Sequence, residues 1–261
     1  MSLDGKGLLA LRQRAVRDRE GLALVEGTRF VLRLLASQTQ MLEIVSLPDL
    51  SGSARHALHE AKRRGVPHRT LDMATYRALS LAEDPQGIAA VIRQRWQPLP
   101  LPPLRSRNLW VAVEQVRSPG NLGSVLRTAE AAGARGALFL GDSADPYDPR
   151  CLRGSMGSIF GLELTRVRHD ELAHWARRAR AKIVGTSAAA ARDYRNLSYR
   201  GPVVLMLGCE RGGMSDAQEA VCDKVVRIPL HGNVDSLNIA VAAGVMLYAA
   251  HAERNPMKRR R

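Results

Sequence analysis

Aromatic side chains are scarce: Phe, Trp and Tyr together make up 4% of the sequence. Recognition of single-stranded bases mainly by stacking needs exposed rings, so this shortage argues against it. Cysteine is rarer still. Cys151, Cys209 and Cys222 form no CxxC pair and are odd in number, which excludes a disulfide framework and suits a reducing compartment. The seven histidines show no metal-ligand spacing, so no metal is expected. No apolar run reaches membrane length, and the amino end has no signal-peptide pattern, so a cytoplasmic protein without a membrane partner is expected. Acidic residues are also in short supply, 25 against 39 Lys and Arg, for a net charge of +14. A basic surface can serve solubility alone, but a chain this basic is expected to meet a polyanion, nucleic acid first of all. With few rings available, phosphate contact and shape are the expected means.

The familiar phosphate loops are missing too. Gly208-Cys209-Glu210-Arg211-Gly212-Gly213-Met214-Ser215 has no Walker lysine, and no GxGxxG follows a strand. Asp142, Asp145 and Asp148 are regularly spaced but lack the alternating ligands and central glycine of a calcium loop, so turn and cap roles are expected. Cys209 has no evident histidine partner, and a small packing residue is expected there rather than a nucleophile.

What is present is an alternation of strands and helices over 261 residues, enough for two domains. Residues 1–95 read as a small α/β domain, with strands near Leu22–Glu26, Met41–Leu47, Pro67–Leu71 and Gly87–Ile92. Pro98, Pro100, Pro102 and Pro103 forbid helix and favour an extended, semi-rigid spacer, placed at 96–107. Residues 108–256 open with the buried strand Leu109–Val113 and alternate onward, which predicts an α/β fold with a mainly parallel sheet covered on both faces. Lys258–Arg261, within a tail at 257–261, is basic and able to touch phosphate.

The second domain is organised around Val226–Gly244. Its β-rich start stops at Pro229, a Gly232-Asn233 turn follows, and Ser236 and Asn238 stand at the start of a helix with no charge from Ile239 to Ala250. A helix apolar all round is expected to be buried in a core or against another subunit. Three loops each follow an expected strand: Ser118–Arg127, with Asn121 read as a helix cap, Gly208–Ser215 and His231–Asn238. In an open parallel sheet such loops converge on a ligand.

Asn121-Leu122-Gly123-Ser124-Val125-Leu126-Arg127-Thr128-Ala129, Leu207 to Ser215, and Ile228-Pro229-Leu230 with Ser236 to Ala243 resemble, in order and spacing, the three motifs of the SpoU (TrmH-like) RNA 2′-O-ribose methyltransferases of the SPOUT class. Arg153–Ser158 resembles another family segment, and Cys209 stands where the family more often has Asn or Ser. Residues 1–95 are similar to the ribosomal-protein-like RNA-binding domain often fused in front. The resemblance implies a trefoil knot in the second domain, a homodimer, and bound S-adenosyl-L-methionine. It assigns Gly208, Ile228 and Leu237 to the cofactor, and Asn121, Arg127, Glu210, Ser236 and Asn238 to the polar catalytic set. Ser155 and Met156 are left as structural.

The expected reaction is cofactor-dependent 2′-O-methylation of structured RNA, with ribosomal RNA ahead of transfer RNA. It requires neither a metal nor a covalent enzyme intermediate. Near-attack geometry can lower such a barrier by roughly 7–11 kcal/mol. A guanidinium is a permanent cation and a poor base, so Arg127 is expected to stabilise the developing 2′-oxyanion and grip the adjacent phosphate. Ser236 and Asn238 would orient the ribose, and Glu210 would fix a loop or the arginine. The rival reading is a non-catalytic RNA-binding or ribosome-assembly protein on the same fold.

Overall fold

The computed structural model describes residues 4–141, 145–209 and 212–256. Asp142, Glu210 and the Lys258–Arg261 tail lie outside the described residues. In chain order the elements are α1 (Gly5–Ala10), α2 (Arg14–Glu20), β1 (Leu22–Glu26), α3 (Thr28–Leu35), β2 (Met41–Ser46), α4 (Gly52–Arg63), β3 (His68–Thr70), α5 (Met73–Leu79) and β4 (Ile88–Arg93). Then follow β5 (Leu109–Glu114), α6 (Pro119–Ala131), β6 (Gly136–Leu140), α7 (Pro149–Ser155), β7 (Glu163–Arg166), α8 (His169–Ala179) and β8 (Lys182–Thr186). The chain ends with β9 (Val203–Leu207), α9 (Asp216–Val221), β10 (Lys224–Val226) and α10 (Ile239–Arg254). Two units result: Met1–Arg95 with Asp145–Gly161, and Trp96–Ala144 with Leu162–Arg261. Among the described residues no helix is long and apolar enough to cross a membrane.

The first unit holds a sheet in the order β1-β4-β2-β3. β4 runs antiparallel to β1 and β2, and β3 is parallel to β2. Leu24, Val45, Ala89 and Val91 of the sheet pack with Leu8, Leu11 and Tyr76 from the helices. The basic lead-in forms α1 and α2, and Arg17 of α2 points inward, 1% exposed. Its guanidinium donates to the Leu11 and Arg12 carbonyls at 2.9 and 2.7 Å and meets Asp145 Oδ2 at 2.7 Å. Removing one partner of such a buried pair costs about 3–5 kcal/mol. Asp148 caps α7 through Arg150 N, a helix-cap role, while Asp145 is the partner of this arginine.

In the second unit the sheet runs β10-β8-β9-β5-β6-β7 with every pairing parallel. That explains the unbroken apolar runs of β5, β6 and β9, which are buried throughout. Trp110, Leu138, Ile183 and Met206 pack against Leu172, Trp175 and Ala176 of α8. Trp110 and Trp175 meet edge to face at 5.2 Å between ring centres, a favoured aromatic geometry. The proline-rich stretch lies along this unit. Gln97 N donates to the Leu164 carbonyl, Trp175 Nε1 donates to the Pro100 carbonyl, both at 2.7 Å, and Leu99 and Leu104 join the core. Prolines leave the carbonyls as the stretch's main polar groups, and these find donors on the folded unit.

One local expectation is corrected and one alternative is narrowed. The cap of α6 is Ser118, whose Oγ accepts from Asn121 N at 3.3 Å, with Pro119 at the first helical position. Proline is favoured there because that N–H has no helical acceptor, so Asn121 falls in the first turn instead. The charge-free stretch Ile239–Ala250 of α10 is not sealed within its chain, which leaves burial against another subunit as the alternative. Ile239, Ala243, Met246 and Leu247 are buried, while Val241 and Tyr248 are 53% and 50% exposed. With half-buried Val245 they make an apolar stripe at positions 241, 245 and 248, the spacing of one helix face.

Candidate functional site

The strand order reverses between β5 and β9, and two adjoining hollows open at the carboxyl ends of the strands there. This is where an open parallel sheet binds ligands. The first has a volume of about 330 Å³ and is lined by Gly208 and Gly213 after β9, Ile228 and Leu237 before α10, and Thr186 and Ser187 ending β8. The second, about 410 Å³, gathers Arg117, Ser118 and Asn121 with Ser236 and Asn238. Cys209, Ser236 and Leu237 line both.

Helix ends position the polar side chains. Asn238 caps α10, its Oδ1 accepting from Ala240 N at 2.9 Å. That satisfies a backbone donor left free by helix geometry. Its Nδ2 donates to Asn121 Oδ1 at 3.3 Å, so the ends of α6 and α10 are joined across the second hollow. The described lining of that hollow has one guanidinium, Arg117, and no carboxylate.

The loop after β9 is tightly closed. Cys209 N donates to the Gly213 carbonyl at 2.7 Å, and Gly213 N donates back to the Cys209 carbonyl at 3.2 Å. The Cys209 thiol accepts from Gly212 N at 3.2 Å, a packing and acceptor role. A Cβ on Gly208 would lie 2.3 Å from the Gly213 carbonyl carbon and 2.5 Å from Met214 N. Both are backbone, so any side chain there forces the loop apart.

The three expected cofactor contacts, Gly208, Ile228 and Leu237, thus fall in one hollow, and Asn121, Ser236 and Asn238 share the other. Arg127 is exposed on α6 and lines neither hollow, and Glu210 lies outside the described residues. Arg117, Thr186 and Ser187 were missed in the sequence. Their signal is positional, since Thr186 ends a parallel strand, Ser187 directly follows it, and Arg117 lies in the short link between β5 and α6. Ser155 is buried and donates to the Leu152 carbonyl, and Met156 ends α7 at φ 52°; both fill the structural roles expected of them. Among the described residues no group of three or more His, Cys, Asp or Glu could hold a metal ion.

The first hollow fits an adenosyl amino acid. Ile228, Leu230 and Leu237 offer apolar walls for a flat base, the Gly208–Gly213 backbone comes close, and Asp235 supplies a carboxylate for a cationic or hydroxyl group.

Known proteins share this fold. The model of the SpoU rRNA methylase family matches residues 108–248, and that of the MRM3-like substrate binding domain matches residues 6–90. A 23S rRNA (uridine(2479)-2′-O)-methyltransferase of Streptomyces viridochromogenes is 37% identical over 66% of this chain and 62% of its own length. The chain therefore spans less than two thirds of that relative. The 23S rRNA (guanosine-2′-O-)-methyltransferase RlmB of Vibrio cholerae is 30% identical, over 85% of this chain and 84% of its own. The crystal structure of the SpoU methyltransferase AviRb from Streptomyces viridochromogenes with AdoMet superimposes with a TM-score of 0.88 at 32% identity, covering 99% of this chain and all of that one. Motif order, a parallel sheet with paired hollows at its strand reversal, and a family match over more than half the chain agree: the chain belongs to the SpoU rRNA methylase family.

Proposed function

We propose that the protein is an S-adenosylmethionine-dependent 2′-O-methyltransferase acting on ribosomal RNA in the cytoplasm. The observation that carries this is the pair of hollows sharing Cys209, Ser236 and Leu237, one suited to the cofactor and one to a ribose and its phosphate. When bound, the cofactor supplies an electrophilic methyl group on a sulfonium centre. Gly208, Ile228 and Leu237 would hold it. Asn121, Ser236 and Asn238 would orient the ribose hydroxyl beside it, and such positioning supplies much of the rate in a bimolecular transfer. The proton of the hydroxyl leaves to phosphate or water.

Arg127 would stabilise the forming oxyanion. It lines neither hollow of its own chain, which suits service in a second copy. We accordingly read the apolar stripe Val241–Val245–Tyr248 as the face of a C₂ homodimer, the commonest closed assembly. A trefoil knot in residues 108–256 belongs to the same reading, as does a part for Glu210 in ordering a loop or the arginine. Residues 1–95 would bind RNA, and their partner in both relatives' names, 23S rRNA, favours ribosomal over transfer RNA.

The test is transfer of labelled methyl from S-adenosylmethionine to ribosomal RNA, followed by digestion to nucleosides. A 2′-O-methylated nucleoside is the expected product. Neither label in RNA nor cofactor binding by calorimetry would overturn the reading and leave the non-catalytic rival.

A further inference from the structure

Glu114 closes β5, the strand at the reversal point, and is buried at 7% exposure. A buried carboxylate is costly unless its oxygens are satisfied. Here Oε2 accepts from Ser215 Oγ at 2.9 Å, while His169 Nε2 of α8 lies 3.2 Å from Oε1 without hydrogen-bonding to it. Ser215 is both the last residue of the 208–215 loop and the cap of α9, in a reciprocal capping box with Gln218. Gln218 is itself buried. Its Oε1 accepts from Ser215 N at 2.9 Å, and its Nε2 donates to the Leu207 carbonyl at 3.1 Å. One polar chain, Glu114–Ser215–Gln218–Leu207, therefore joins the two ends of the loop and anchors them to the neighbouring strand.

None of the three side chains, Glu114, Ser215 and Gln218, is in the set assigned above to cofactor or ribose. Yet the loop they tie down carries Gly208, Cys209 and Gly213, the floor of the cofactor hollow. Beyond Glu114, Gln115 turns at φ 53° into Arg117 and Ser118 of the second hollow. A group holding both loops in register fixes where the two reactants meet, and side chains that support a site in this way set its precision. We propose that Glu114 is a positioning residue for methyl transfer, acting through Ser215 to hold the cofactor loop in its binding shape. The inference rests on the methyltransferase reading for its consequence, though not for the tether itself.

The test compares Glu114→Met, which keeps length but removes the acceptor, with Ser215→Ala, Ser215→Thr, Glu114→Gln and the Met/Ala double variant, all in the full-length protein. Glu114→Met and Ser215→Ala should each weaken S-adenosylmethionine binding by at least about tenfold, the scale of one hydrogen bond to a charged group. The double variant should be no weaker than the worse single one, because both cut one contact. Glu114→Gln and Ser215→Thr, which keep acceptor and hydroxyl, should retain most of the affinity. The rate at saturating cofactor should fall as well, because the reactants lose their register, while RNA binding should stay near wild type. Hydrogen exchange of the Cys209 and Gly213 amides, which needs neither cofactor nor RNA, should accelerate in Glu114→Met. That readout distinguishes loss of the tether from failure of the methyltransferase reading, which would appear as no cofactor binding by the wild type. Unchanged affinity and exchange with a lowered melting temperature, or additive losses in the double variant, would overturn the proposal.

Discussion

The side-chain amide of Asn238 donates to the side-chain oxygen of Asn121 at 3.3 Å, joining residues 117 positions apart at the starts of two helices. The two partners have unequal structural duties, since only Asn238 also caps its helix. Asn238→Ala should lose about 1 kcal/mol of stability, as cap removal does, together with activity. Asn121→Ala should lower the single-turnover rate while the melting temperature moves little. Equal destabilisation by both would contradict this division, and denaturant unfolding beside rate measurements checks it.

Arg127→Ala should cost about 2.7–4 kcal/mol of transition-state stabilisation, or 10²–10³ in rate, with cofactor affinity unchanged. Arg127→Lys keeps the charge but not the planar fork, so it should recover only part of the rate. Single-turnover methylation by all three proteins measures this. A near-wild-type rate for Arg127→Ala would reduce the residue to an exposed cation worth about 0–1 kcal/mol in any ion pair.

At Gly208 the obstacle is the loop's own backbone, ahead of any clash with adenosine. Even Gly208→Ala should therefore abolish S-adenosylmethionine binding, and Gly208→Val should do no worse. Far-ultraviolet circular dichroism should stay near wild type. Titration calorimetry showing intact binding by the alanine variant would remove Gly208 from the cofactor site.

Light scattering should give twice the 28.6 kDa chain mass. Val241→Asp with Tyr248→Arg places charges on the exposed stripe and should yield a folded monomer that is inactive if Arg127 serves the partner's site. A wild-type monomer at micromolar concentration would contradict both expectations.

The three thiols should react unequally. Burial first, then the charges of Asp223 and Glu219, pushes the Cys222 thiol up to about 12, and Cys151 is fully buried with its thiol held well above the ordinary value by the same cause. Thiolate is the reactive form, so at pH 8 both should resist alkylation in the native protein, while half-buried Cys209 in the hollow reacts. Saturating S-adenosylmethionine should protect Cys209. Mass spectrometry of the alkylated protein reads both points, and prior labelling of Cys222 would refute the first.

Strand runs such as Leu109–Val113 were legible because a parallel sheet buries both faces and leaves no polar alternation. Gly208, Ile228 and Leu237 were legible as a group through motif resemblance, and their meeting in one hollow follows from strands whose carboxyl ends lie together. Glu114 was not legible. A single glutamate ending an apolar strand reads as a solvent-facing terminus, and its partners lie 55 and 101 residues away. That α10 has apolar surface to spare was legible in its charge-free run, but which face stays uncovered was not, because alanine and valine look alike on either side. The cap of α6 went to Ser118 since Pro119 set the helix start three residues earlier than the asparagine suggested.

The contribution of Asp145–Gly161 to the first unit bears on how the chain is made. Synthesis runs from the amino end at about 5–20 residues per second, so Arg17 and the rest of α2 leave the ribosome well ahead of the carboxylate that the buried guanidinium requires. The first unit cannot finish before Trp96–Ala144 of the second has been translated, and residues 1–95 spend those seconds lacking α7. Protease digestion of ribosome-bound chains stopped before residue 145 and after residue 161 should show protection of α2 only in the longer ones. On the proposed function, the protein would be tied to the ribosome twice, once through the RNA it modifies and once through the order in which its own parts emerge.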